Sequence, residues 1–145
     1  MPDETASPSR ATGDALAITA LVRTLFRSFD STEVPTGSLD RLPSLFTPDA
    51  TVTVLSANGL RTQSVPDFIH PRRELLLGGR LTDFFERETH GETLLGPDVA
   101  CHRSRYCKEG TREGTRFTGQ GTKVFSFVRQ NGTWRILSLL WQDDG

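Results

Sequence analysis

The chain has 145 residues, the length of one domain, and Leu, Ile, Val and Phe make up about a quarter of it, enough for a folded core. The net charge of −1 leaves no basic excess, so neither nucleic acid nor an anionic membrane surface is an expected partner. No apolar run approaches a membrane span, and the start Met1-Pro2-Asp3-Glu4 is polar and acidic rather than a secretory signal, so the expected compartment is the cytoplasm.

Residues 1–11 are rich in Pro, Ser and Ala without periodicity and read as a disordered tail, leaving 12–145 as a single domain. A first helix follows, capped by Thr12 or Asp14. Ile18, Leu21, Val22, Leu25, Phe26 and Phe29 recur at helical spacing and form its buried face. Pro35 and Gly37 break it. A short second helix, with Ser38 as cap, presents Leu39, Leu42, Leu45 and Phe46, and Thr47-Pro48-Asp49 ends it, Asp49 serving as a turn residue.

Ala50 to Leu55 is a β-branched run and reads as a strand, with Asn58-Gly59 as a hairpin turn and Leu60 to Gln63 as the return. Ser64 caps a third helix that ends near Leu77, and Pro71 is expected to kink or split it. The remainder reads as strands over 81–95, 99–108, 115–129 and 133–141. Gly96-Pro97-Asp98, a loop over 109–114 and Gln130-Asn131-Gly132 connect them. Gly119 and Gly121 mark a bend, and 143–145 a frayed end. Helices first and a meander of long antiparallel strands after them make an α+β fold. The helices are segregated to one face of a strongly bent sheet, giving a cone with an internal pocket.

Three segments carry a family resemblance. Gly119-Gln120-Gly121-Thr122-Lys123-Val124-Phe125-Ser126-Phe127-Val128-Arg129, followed by Gly132-Thr133-Trp134-Arg135-Ile136, resembles the C-terminal hairpin of the SnoaL-like group within the nuclear transport factor 2-like (cystatin-like) superfamily. Phe46-Thr47-Pro48-Asp49-Ala50 resembles its junction between the second helix and the first strand, and Asp98-Val99-Ala100 its hairpin before the middle strand. The resemblance covers about residues 13–143 and implies the cone fold with its pocket. It fixes no reaction, because the superfamily includes isomerases, cyclases, dehydratases, epoxide hydrolases and transport adaptors. No motif here matches one of their catalytic sets.

Histidine is the side chain suited to proton transfer near neutral pH. With Leu95 paired to Val99, His90, Glu92, His102, Ser104 and Tyr106 share one face with Glu86 and Glu88. A one-residue slip flips one strand against the other, so alternation also allows a solvated face or a dimer interface. The resemblance places Ala100 inward and His102 with it. His102 and His90 are then the candidate acid and base, a nearby Glu tunes the ring, and Tyr106 donates to a ligand oxygen. The resemblance also puts the first helix against the cone, which makes Asp30 a candidate partner at the pocket mouth. His70 reads as an exposed or capping residue. Phe26, Phe29, Phe46, Phe68, Phe125, Trp134 and Trp141 are the candidate ligand-binding aromatics.

No phosphate loop, dinucleotide fingerprint or zinc spacing is present, and no metal or cofactor is expected. The only lysines, Lys108 and Lys123, leave few candidates for a Schiff base. Fifteen of the seventeen basic residues are Arg, scattered as codon bias would leave them. Cys101 and Cys107, six residues apart on one strand, are separated by about 20 Å and cannot pair within the chain. Two functional readings follow. One is a domain binding a small hydrophobic or amphipathic molecule, with isomerase-, cyclase- or dehydratase-type proton transfer. The other is a non-catalytic dimerisation or interaction module. A homodimer is expected under either.

Overall fold

The computed structural model describes residues 8–32 and 36–145, with side chains given from Ser9 to Thr32 and from Leu39 onward. Helix α1 (Pro8–Arg27) is followed by a 3-10 helix (Thr36–Leu45) and the hairpin β1 (Phe46–Ser56) and β2 (Gly59–Ser64). Helix α2 (Val65–Leu77) leads to the long strands β3 (Leu81–Leu95), β4 (Val99–Arg112), β5 (Thr115–Gln130) and β6 (Thr133–Asp143). The fold is α+β: the helices pack on one face of a six-stranded curved sheet of order β2-β1-β6-β5-β4-β3. Every neighbouring pair is antiparallel except β1 and β6, which run parallel.

Ile18, Val22, Leu25 and Phe26 of α1, with Phe68 and Ile69 of α2, meet Val52, Phe125, Phe127, Ile136 and Leu139 of the sheet. Alternation decides which strand residues enter this core. Along β5, Gly121, Lys123, Phe125 and Phe127 are buried.

Several local expectations are corrected. Helix α1 begins at Pro8, not at Thr12 or Asp14, so 8–11 belong to it; residues 1–7 of the expected tail lie outside the described residues. Proline is tolerated in a first turn, and Arg10 ties this turn to the sheet by donating to the Pro97 carbonyl (2.9 Å) and pairing with Asp98 (3.3 Å). Pro35 and the side chain of Ser38 lie outside the described residues.

The second helix is of 3-10 type, and Phe46 already belongs to β1. Thr47-Pro48-Asp49 is strand, crossing a register shift between Phe46 and Thr51 where the β1–β6 ladder is irregular and a proline is accepted. Helix α2 runs unbroken through Pro71, because one missing backbone bond is offset by the docking of Phe68, Ile69 and Leu76.

The segment 109–114 is not a loop. Strand β4 continues to Arg112, and Glu113-Gly114, both at positive φ, make a two-residue turn. Gly119 and Gly121 lie in unbroken register with Lys108 and Tyr106. A side chain at Gly121 would collide with the Tyr106 hydroxyl, so this glycine makes room for the tyrosine rather than a bend. The C-terminal end is held, since the Asp144 N–H donates to the Gln120 carbonyl (2.8 Å).

Candidate functional site

A cavity of about 470 Å³ lies between α2, the end of α1 and the inner face of β3–β6. Its walls are apolar: Leu25, Phe29, Phe68, Phe84, Phe117 and Trp141 among them. Four cations also line it, Arg72, Lys108, Arg112 and Lys123, against one carboxylate, Glu86. The exposed Pro71 and Arg112 mark its solvent side.

Lys123 is the most deeply placed of these charges. It is 6 % exposed and pairs with Glu86 at 3.1 Å. Its ammonium stands 4.3 Å from the centre of the Tyr106 ring and 5.2 Å from that of Trp141. Burial pulls its pKa below the ordinary lysine value, and Glu86 opposes that pull. Such a pair can hold or pass a proton at the cavity wall.

Tyr106 is buried and donates its hydroxyl to Asp143, while Lys108 donates to the other oxygen of that carboxylate at 2.7 Å. Burial and the bond to Asp143 raise the Tyr106 pKa. For Asp143, partial burial would raise the carboxyl, but the bonds from Lys108 and Tyr106 outweigh it and hold the carboxyl below its usual range.

Arg72 projects from α2. Its guanidinium carbon lies 4.1 Å over the Phe68 ring and 5.4 Å from the centre of Trp141, and one Nη donates to the Phe68 carbonyl (2.9 Å). Burial lowers its pKa to about 10, with the negative charge of Glu86 acting the other way.

His102 is buried, 5 % exposed, and belongs to a separate network. Its Nε2 lies 2.7 Å from Glu88 Oε2 and its Nδ1 2.6 Å from Thr93 Oγ1, while Ser104 donates to Glu88 Oε2 at 2.6 Å. A carboxylate only accepts, so Nε2 carries a proton, and in the neutral ring the Thr93 hydroxyl donates to Nδ1. Gly91 gives this network its space, because a Cβ there would press on the Glu88 carboxylate and on His102 Cε1. His102 lines neither the cavity nor the groove described next.

The placing of His90 beside His102 is corrected. Leu95 pairs with Ala100, not Val99, and Thr93 faces His102. A register shift between Glu88 and His90 absorbs one extra residue, so Glu86 and Glu88 keep the expected pairing while His90 and Glu92 turn outward. His90 is exposed and meets Glu92 at 3.3 Å. His70 is also exposed.

Asp30 lines a second groove between α1 and β3 with Arg23, Arg27, Glu86 and Glu88, and accepts from the Thr32 N–H at 2.7 Å. Of the candidate aromatics, Phe29, Phe68 and Trp141 line the cavity. Phe26 lines the groove, and Phe46 and Phe125 are interior packing. Trp134 stands elsewhere, donating its indole N–H to the buried Asp14 (3.0 Å). The cavity thus takes only a subset, because an inward aromatic faces either the void or another side chain.

Of the charged residues that line the cavity, sequence reasoning places Glu86 on the candidate face, and it singles out neither Lys123 nor Arg72 as a pocket residue. The signal was there: Lys123 occupies the apolar phase of the alternation that buries Phe125 and Phe127, and Arg72 continues the α2 stripe of Phe68 and Leu76. The described residues hold no cluster of His, Cys, Asp and Glu suited to a metal, and none of their helices is long and apolar enough to cross a membrane.

No protein-family model matches the chain, and no curated protein matches it either. Solved structures do match. The chain is 19% identical to hexachlorocyclohexane dehydrochlorinase LinA-type3 from Novosphingobium barchaimii, over 96% of this chain and 92% of that one, with TM-score 0.77. It is 21% identical to a putative calcium/calmodulin dependent protein kinase II association domain from Xanthomonas campestris, over 99% and 95%, with TM-score 0.69. It is 17% identical to an NTF2-like protein with a cystatin-like fold from Novosphingobium aromaticivorans, over 92% and 83%, with TM-score 0.72. The chain has the NTF2-like, cystatin-like fold.

Proposed function

We propose that the protein binds a small amphipathic molecule in the cavity between α2 and the sheet, and that Glu86 and Lys123 move a proton on it. One observation carries this reading: an apolar cavity of about 470 Å³ has a buried lysine–carboxylate pair in its wall. Glu86 accepts the proton of an acidic C–H, and Lys123 steadies the oxygen on which negative charge develops. The neighbour named a hexachlorocyclohexane dehydrochlorinase shares this fold, and this agrees with a pocket suited to small-molecule chemistry. His102 and Tyr106 support the wall rather than meet the ligand, because the bonds to Glu88, Thr93 and Asp143 occupy their polar atoms. No cofactor enters this reading, and its two free cysteines suit a reducing cytoplasm.

The test is exchange of α-hydrogens for deuterium in a panel of cyclic and aryl ketones, followed by NMR. Exchange that Glu86→Gln slows at least tenfold supports the reading. Exchange that survives both Glu86→Gln and Lys123→Met removes the proton-transfer role and leaves binding alone.

A second reading, an interaction module, rests on the outer sheet face. Val124 and Leu140 pair across β5 and β6 there and are 39% and 44% exposed, and Leu94 of β3 is 71% exposed. We propose a homodimer through this face. The neighbour named an association domain agrees with it. Light scattering at micromolar concentration that shows only a 16.1 kDa species would remove it.

A further inference from the structure

The cations of the cavity wall differ in how they are neutralised. Lys123 has Glu86 at 3.1 Å and Lys108 has Asp143 at 2.7 Å. Arg112 is exposed at the solvent side. Arg72 is the exception. Among the described residues it forms no ion pair, and its one protein hydrogen bond goes to the Phe68 carbonyl.

An arginine without an anion ordinarily extends into water, where its charge costs nothing. Here the guanidinium carbon instead lies 4.1 Å over the Phe68 ring and 5.4 Å from the centre of Trp141, and both rings line the same cavity. The ring contact and the bond to the Phe68 carbonyl hold the guanidinium in place at the cavity wall. The other N–H groups are left uncommitted. Burial lowers the Arg72 pKa although Glu86 and Asp143 act the other way, and among the described residues neither carboxylate reaches it as an ion pair. With Lys108 and Lys123 already paired, Arg72 and Arg112 leave the cavity with an excess of positive charge. A pre-oriented guanidinium fork matches a planar carboxylate by two parallel hydrogen bonds.

Resting on the reading of this cavity as a ligand site, we infer that its ligand is a small carboxylate with an apolar, aromatic or alkyl, body, and that Arg72 is the residue selecting the carboxylate. The carboxylate sits on the Arg72 fork. The body lies against Phe29, Phe84 and Phe117, in the cavity that the Glu86–Lys123 pair also lines.

The experiment is calorimetric titration of the full chain with ω-phenylalkanoates from benzoate to 6-phenylhexanoate, each beside its matched alcohol and amine. At least one carboxylate is expected to bind tenfold or more tightly than its alcohol, with the amine weakest. Arg72→Gln is expected to remove that tenfold preference and leave alcohol affinity within about twofold. Arg72→Lys, which keeps the charge and loses the fork, is expected to restore only part of it. Equal affinity for acid and alcohol, or tighter binding of the amine, overturns the inference and leaves the cavity a ligand site. An Arg72→Gln variant that weakens acid and alcohol alike also overturns it. Binding of none of the compounds overturns the inference together with the reading on which it rests.

Discussion

Toward its turn the β3–β4 ladder buries His102 in a closed set of partners, Glu88, Thr93 and Ser104, whereas toward its other end Glu86 and Lys123 face a void with Arg72 above them. Both centres pair a base with a carboxylate at short range, 2.7 Å in one and 3.1 Å in the other. Their surroundings separate them. Around His102 the polar atoms are spent on one another, which rigidifies the wall. Around Lys123 the neighbours beyond Glu86 are ring faces and the cavity. A histidine with well-made bonds is a weaker functional signal than a lysine with few.

The largest expected effect breaks the cavity pair. Lys123→Met leaves Glu86, whose side chain is 12% exposed, without its cation, and is expected to cost about 3 kcal/mol in urea denaturation. Adding Glu86→Leu should recover most of that loss, because both charges are then gone. A single variant as stable as the parent would mean that Glu86 finds water or protonates, and that the pair is not a buried one.

His102→Ala should cost about 2 kcal/mol, since it strips Glu88 of one donor and leaves a hole among Thr93, Ser104 and Phe125. Its affinity for a cavity ligand should stay within twofold of the parent. A large loss of affinity without further loss of stability would return His102 to the binding machinery and erase the contrast between the two ends.

A smaller, pH-dependent effect sharpens the contrast at Asp143. Its pKa in the folded chain lies below the ordinary 3.8, so the unfolded chain binds more protons as pH falls through that range. The stability it contributes is therefore complete above about pH 3.8 and is lost as pH drops through the folded value. The stability gap between the parent and Asp143→Asn should be constant from neutral pH to about 5 and should shrink below 4. A gap that grows on acidification would reverse the assignment of Lys108 and Tyr106 as its stabilising partners.

The order and type of the elements were legible because periodicity survives in single segments: the 3.6-residue stripe of Ile18, Val22 and Leu25, and the two-residue alternation of Phe125 and Phe127. Local signals misled where tertiary contacts overrode them. Pro71 reads as a breaker and sits in an intact helix, and Thr47-Pro48-Asp49 reads as a turn and is strand. The site was less legible for a geometric reason. One residue accommodated between Glu88 and His90 turns His90 outward while leaving Glu86 inward, and nothing in Arg87-Glu88-Thr89-His90 announces it. Lys123 is hard to read because its residue type points to the surface while its phase on β5 points to the core. A charged residue in the buried phase of a strand is the more informative one, since its placement there costs free energy.

The smallest effect belongs to His90, and it tests that register directly. His90 and Glu92 have side chains 64% and 61% exposed, and their 3.3 Å contact is one that water and salt screen. His90→Ala should therefore change stability by less than about 0.5 kcal/mol and leave both ligand affinity and α-hydrogen exchange unaltered. If the extra residue were placed elsewhere on β3, His90 would turn inward beside Ser104 and Tyr106, and its removal would open a hole in the wall of the cone. A loss above about 2 kcal/mol would then be seen. The same substitution thus reads out which way β3 faces over the stretch from Glu88 to Leu95, the stretch on which the separation between a self-satisfied histidine and an exposed one depends.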